Sequence, residues 1–147
     1  MSNKIRLGIV VSEFNENITS RMLERALKQA ESLSAEVKYI FYTPGAFDMP
    51  IAISNLLKKD IDAIVTLGAV IKGETKHDEV VAFNASRLIA DLSVKYNKPI
   101  TLGISGPGMS EEEAEDRINA VSTRAVTAAV NLVKRLKMLE EDKRVIR

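Results

Sequence analysis

Apolar residues follow two rhythms along this chain. Short, nearly continuous runs, Ile5 to Val11, Ala63 to Ile71 and Ile100 to Ile104, read as strands, joined by a fourth extended stretch, Glu36 to Tyr42, rich in β-branched and aromatic residues. Between them apolar positions return every three or four residues: Ile18, Met22, Ala26, Ala30 and Leu33, then Ile53, Leu56 and Leu57, then Val80, Val81, Ala85, Leu88, Ile89, Leu92 and Tyr96. That spacing gives each helix one buried stripe. Pro50 suits the first turn of the second helix, where its missing N–H goes unnoticed, and Asn97-Lys98-Pro99 closes the third. Gly106-Pro107-Gly108 predicts a loop after the last strand, and Ser110 with Glu113 has capping-box spacing for a helix start. The final helical region, Glu111 to Leu139, exceeds ordinary helix lengths, and the weak formers Ser122 and Thr123 predict a break or kink inside it. The charged stretch from Glu140 to Arg147 is expected to be solvated.

Strands alternating with helices imply βαβ units, right-handed crossovers and a parallel sheet covered on both faces. The fold class is therefore α/β, a three-layer α/β/α sandwich around a four-stranded sheet, with residues 1–147 forming a single domain. Ala63 to Ile71, apolar throughout, is expected at its centre. Ligands of such sheets sit at the carboxyl ends of the strands. The informative residues are thus Phe14-Asn15, Gly45 to Asp48, Gly68 to His77 and Ser105 to Gly108.

Composition narrows the chemistry. The 147 residues carry 21 basic and 20 acidic side chains, a net charge of +1, so no bulk field recruits nucleic acid or an anionic membrane. Any anion has to be caught locally. The chain has no cysteine and one histidine, which excludes thiolate chemistry and a multi-histidine metal site. Met1-Ser-Asn-Lys-Ile-Arg leads into a strand without the charged and apolar regions of an export signal, and a cytoplasmic location is expected.

Gly68-Ala-Val-Ile-Lys-Gly-Glu-Thr-Lys-His77 links the central strand to a helix. Gly73 lets backbone approach a ligand, and Glu74, Thr75 and their successors would aim free N–H groups and a hydroxyl at a phosphate. It matches neither nucleotide-binding glycine pattern, and strand-to-helix turns of this kind are often structural only. His77 falls at the start of the third helix, where the positive end of the helix dipole favours the neutral, proton-accepting imidazole. A surface histidine with no chemistry would look the same. Phe14, between polar neighbours, is expected to be exposed and able to stack on a planar ring, whereas Phe47 beside Gly45 is expected to pack on the core. Asp48 in the first turn of a helix complements the dipole without needing a ligand. Arg117 and Arg124, seven residues apart, would share a face of one continuous helix and could clamp a phosphate or simply be solvated.

Two blocks carry a resemblance. Pro44-Gly-Ala-Phe-Asp-Met-Pro50 is similar to the P-G-A-[FY]-E-[IL]-P segment of the 6,7-dimethyl-8-ribityllumazine synthases. Gly68 to Val80 resembles their G-x-V-I-x-G-x-T-x-H-[FY]-[DE]-x-[IV] segment. The match runs from Ile9 to about Leu136, and Phe-Asp-Met-Pro with Gly-Ile-Ser-Gly-Pro-Gly-Met looks closest to archaeal members.

The resemblance implies a flavodoxin-like sheet of order 2-1-3-4. It implies condensation of 5-amino-6-(D-ribitylamino)uracil with 3,4-dihydroxy-2-butanone 4-phosphate, releasing phosphate and water, with no metal and no cofactor. Phe14 would stack on the pyrimidine, with Asn15 beside it, and the backbone around Ala46, Phe47, Ala69, Val70 and Ile71 would read its polar edge. Asp48 would hold ribityl hydroxyls. Gly73, Glu74 and Thr75 would bind the phosphate with Arg117 as countercharge, His77 would move protons, and Leu102 and Arg124 would come from a neighbouring subunit. The partners it implies are further copies of the chain, as a pentamer or a sixty-subunit icosahedral shell, and riboflavin synthase. Pentameric-only relatives carry extra residues near the kink expected at Ser122-Thr123, and their absence here favours the shell.

This chain departs from the common pattern at Asp48 (usually Glu), Leu102 (usually Phe) and Arg124 (usually Lys), and one residue is inserted between Ser105 and Ser110. The rival enzyme is the archaeal-type riboflavin synthase, whose phosphate-free substrates need no cradle. A non-catalytic flavin-binding or shell-forming homologue is the rival outside catalysis; a receiver-like module would want clustered acids after the first strand, where only Glu13 stands.

Overall fold

The computed structural model describes residues 4–147; Met1 to Asn3, the start of the segment expected to carry no export signal, lie outside them. The chain runs β1 (Arg6–Ser12), α1 (Glu16–Ser32), β2 (Glu36–Thr43), a 3-10 turn (Ala46–Asp48), α2 (Met49–Leu56), β3 (Ala63–Ile71), α3 (His77–Tyr96), β4 (Ile100–Met109), α4 (Glu111–Asp116) and α5 (Ile118–Glu140). All strands pair in parallel, in the order β2-β1-β3-β4.

Alternation along the strands builds two cores. Leu7, Ile9, Val11, Val65 and Leu67 face α1 and α5, while Val10 and Ile64 face α2 and α3. β3 is covered on both sides, as its unbroken apolar run requires. Thr66 is the one hydroxyl in that run, and it is fully buried. Its Oγ1 donates to the Thr101 carbonyl at 2.8 Å and accepts from the Gly103 N–H at 3.2 Å, stitching β3 to β4. A Cβ at Gly103 would collide with the Thr66 carbonyl and crowd Ala125 of α5, so this glycine sets how closely the last helix seats on the sheet. Arg6 ties the opposite, amino end of the sheet together by gripping Asp62 through its N–H and guanidinium and reaching Asp60.

Three expectations need correction. β4 does not end at Ile104: Gly106 and Gly108 adopt left-handed backbone (φ 98° and 73°), which carries the strand past Pro107 until Met109 pairs with Ile71. The predicted break at Ser122-Thr123 is absent, because the Thr123 hydroxyl donates to the Asn119 carbonyl within the helix and Ser122 is buried among packed neighbours. The chain instead breaks at Arg117, just after the short α4 that the Ser110–Glu113 capping box starts. Arg117 and Arg124 therefore do not share a continuous helix, and the argument for a shell from a kink at Ser122-Thr123 loses its footing. Phe47 is 58% exposed rather than core-facing, since in the 3-10 turn Ala46 and Met49 take the buried side.

Among the described residues no helix is long and apolar enough to cross a membrane. Replacing Thr66 by valine keeps the shape but removes both hydroxyl bonds, and should cost about 1–3 kcal/mol in denaturant unfolding; a loss below about 0.5 kcal/mol would show that the β3–β4 seam does not depend on it.

Candidate active site

The strand order makes the chain turn outward in opposite directions from β1 and β3, leaving a crevice between their carboxyl ends. A cleft of about 210 Å³ opens there, lined by Ser12, Phe14 and Asn15 after β1, Gly45, Ala46 and Phe47 after β2, Ala69 to Ile71 at the end of β3, and His77 and Val81 on α3. Nine of the expected residues thus meet in one place. The larger but shallower groove of about 840 Å³ along α5 lies away from the strand ends.

Each lining residue is held by a specific local device. The Glu13 and Phe14 N–H groups donate to the Thr43 and Pro44 carbonyls, extending the β1–β2 pairing beyond the strands and presenting the Phe14 ring, 63% exposed, at the mouth. Asn15 adopts the left-handed region (φ 62°), which asparagine tolerates, and its Nδ2 donates to the Ala69 carbonyl at 2.7 Å. That bond spans the crevice. The Thr43 hydroxyl donates to the Gly45 carbonyl and tightens the next turn, from which Phe47 projects as the second aromatic wall. Asp48 makes no capping bond; its Oδ2 lies 3.6 Å from where a Gly45 Cβ would stand, at the rim of the cleft.

His77 is exposed at the first position of α3, its N–H donating to the Thr75 hydroxyl at 3.3 Å. Gly73, Glu74 and Thr75 form the exposed loop before it, next to the cleft rather than in its wall. A Cβ at Gly73 would meet nothing within 4 Å and its φ lies outside the left-handed region, so the fold itself does not require glycine there.

Leu102, Arg117 and Arg124 are not in the cleft. Leu102 pairs with Thr66 midway along the sheet and is 47% exposed at its edge, and Arg124 lines the α5 groove with Asn119, Thr127, Asn131 and Arg135. Arg117 stands between α4 and α5, and both it and Lys72 of the glycine loop act on Glu113. The Glu113 carboxyl is held below its ordinary range first by the Ser110 backbone N–H, then by the Ser110 hydroxyl; these outweigh the opposing desolvation, and Arg117 and Lys72 add smaller pulls in the same direction.

The sequence reading passed over Ser12 and Val81 as site residues. Val81, four positions after His77, was findable because i and i+4 share a helix face. Ser12 ends β1, the place where ligands of such sheets bind, but lay under the strand pattern.

The arrangement offers two aromatic faces, backbone groups along a strand end, one histidine and an adjoining open glycine loop. It suits a planar heterocycle beside a small anion. The family model described as 6,7-dimethyl-8-ribityllumazine synthase matches residues 4–140. Curated proteins of that name are similar along nearly the whole chain: that of Saccharolobus islandicus is 59% identical over 142 residues, spanning 96% of this chain and 92% of its own length. That of Sulfolobus acidocaldarius is 59% identical over 140 residues (95% and 89%), and that of Metallosphaera sedula 54% over 140 residues (95% and 93%). Similarity of that extent means that the chain belongs to the 6,7-dimethyl-8-ribityllumazine synthase family.

Proposed function

We propose that this chain condenses 5-amino-6-(D-ribitylamino)uracil with 3,4-dihydroxy-2-butanone 4-phosphate to the lumazine, a transferase step of riboflavin biosynthesis, in the cytoplasm and without a cofactor. The observation that carries this reading is the union, at one crevice, of the Phe14 and Phe47 faces with His77, beside the open Gly73–Thr75 loop.

The pyrimidine lies between the two rings, its polar edge along the β3 end. Asn15 already occupies the Ala69 carbonyl, so Val70 and Ile71 and the backbone of Ala46 and Phe47 serve the ring, while Asn15 holds the crevice rather than the substrate. Asp48, at the rim, meets the ribityl hydroxyls. The amine adds to the butanone carbonyl and water leaves; His77 takes a proton as the C–O bond to phosphate breaks, and the second amine closes the ring with a further loss of water. Gly73, Glu74 and Thr75 cradle the departing phosphate with backbone N–H groups and a hydroxyl at the head of α3, and positive charge comes from Lys72 and Arg117.

One subunit supplies only part of the wall. Leu102 and Arg124 face outward from this copy, and apolar side chains stand exposed on β2 (Phe41, Tyr42) and α3 (Val80, Phe83, Val94), which favours a ring in which each cleft is closed by the next copy's Leu102 and Arg124. A pentamer is the assembly proposed, and solution mass separates it from a sixty-subunit shell or a complex with riboflavin synthase.

Incubation with both substrates should yield the fluorescent lumazine with orthophosphate; riboflavin formed from lumazine alone, or no turnover, would overturn the reading. Gly73→Ala should leave unfolding stability unchanged or raise it by about 0.5 kcal/mol, yet raise the KM for the butanone phosphate severalfold. An unchanged KM would remove Gly73 from the cradle. Asn15→Asp keeps the left-handed backbone but loses the donor to Ala69, and should raise the KM for the pyrimidine; equal effects on both substrates would argue against a role confined to that crevice.

A further inference from the structure

Asp78 follows His77 in the first turn of α3 and plays no part in the reaction described above. It is 7% exposed, the one carboxylate so deeply buried among the described residues, and it forms an ion pair with no described lysine or arginine. Burying a carboxylate without a countercharge is costly unless N–H groups replace its water. Here the Gly108 N–H donates to Asp78 Oδ2 at 2.9 Å, and the position near the head of α3 adds the favourable end of the helix dipole. The residue next to Gly108 holds the other side of the same loop: the Lys72 N–H donates to the Met109 carbonyl at 2.8 Å.

Lys72 and Asp78 bracket Gly73 to His77. Both ends of that loop are therefore fastened to two consecutive residues of the β4 tail, Gly108 and Met109, as a ring is closed by a clasp. The tail itself cannot easily slide. Gly106 lies so close to the Val70 carbonyl that a Cβ would collide with it, and Met109 pairs with Ile71. Immediately beyond, Ser110 caps α4, the helix that leads to Arg117.

We propose that Asp78 is a positioning residue that sets the span of the Gly73–Thr75 loop by holding Gly108, and so determines affinity for the phosphorylated substrate. The inference rests on reading Gly73–Thr75 as the phosphate cradle. Losing the clasp leaves the aromatic walls and the Asn15 bridge untouched, because those hang from β1, β2 and the end of β3. The pyrimidine half of the site should not notice.

The test is steady-state kinetics of the full-length protein with each substrate varied in turn, alongside inhibition by inorganic phosphate. Asp78→Ala should raise the KM for the butanone phosphate about tenfold and weaken phosphate inhibition in parallel, with the pyrimidine KM within about twofold. Asp78→Asn keeps an acceptor oxygen for Gly108 and should stay within about threefold of the unaltered protein on both substrates. Equal shifts in both KM values, a fall in kcat alone, or an Asn variant as impaired as the Ala variant would overturn the proposal. Hydrogen exchange of the unaltered protein covers the case in which Asp78→Ala does not fold: added inorganic phosphate should protect residues 73–79 and 105–110 together, and protection of the first segment alone would overturn it. An active protein whose Asp78→Ala variant keeps its phosphate affinity defeats this inference only, whereas an unaltered protein that makes no lumazine defeats the cradle reading and this inference with it.

Discussion

Everything at the site depends on the reversal of winding between β1 and β3. Because β1 leads outward to β2 on one side and β3 to β4 on the other, the loops leaving their carboxyl ends diverge and cannot fill the space between them. A gap at that point would be a weakness in the sheet if nothing spanned it. The bond from Asn15 Nδ2 to the Ala69 carbonyl spans it at the floor, which is why a left-handed asparagine is found where the chain turns from β1 into α1. The crevice is thereby fixed in width yet left open above, and the aromatic rings of Phe14 and Phe47 border what remains.

The two halves of the site hang from different supports. The half proposed to bind the ring is carried by β1, β2 and β3, whose positions follow from the two apolar cores and the Thr66 seam. The loop proposed to hold the anion has little burial of its own, and it is fastened to the β4 tail through Lys72 and Asp78. In the proposed reaction such separation would let one substrate be gripped by a rigid wall while the other enters a loop with room to exchange phosphate for water. Leu102 and Arg124, facing away from their own cleft, make association with another copy part of this account of the chemistry rather than an addition to it.

Much of this was legible in the sequence because local and tertiary preferences agree. The apolar run of β3, Pro50 at the head of α2 and the Ser110–Glu113 box each predict the element found, since no distant contact opposes them. The failures occur where distant contacts decide. Gly106 to Gly108 reads as a loop, but bonds from Lys72 and to Asp78 draw it into the sheet's edge. Ser122 and Thr123 read as helix breakers, but burial against the sheet and a bond to Asn119 hold them helical, and the break moves to Arg117. Phe47 reads as core because it is large and apolar, yet a 3-10 turn gives its buried side to Ala46 and Met49. At the site, Phe14, His77 and the strand ends were found by position after strands, whereas Asp78 gave no signal, because a carboxylate in a first helical turn is ordinarily solvated.

The central claim is that one copy holds the cleft and histidine while another closes it. Mixing dissociated His77→Ala subunits with Arg124→Ala subunits and letting them reassemble tests it most directly, because each variant alone lacks one half of every site. Reassembled mixtures should recover about a quarter of the unaltered activity, the fraction of interfaces that pair an intact His77 with an intact Arg124; a mixture no more active than its two components would contradict the account.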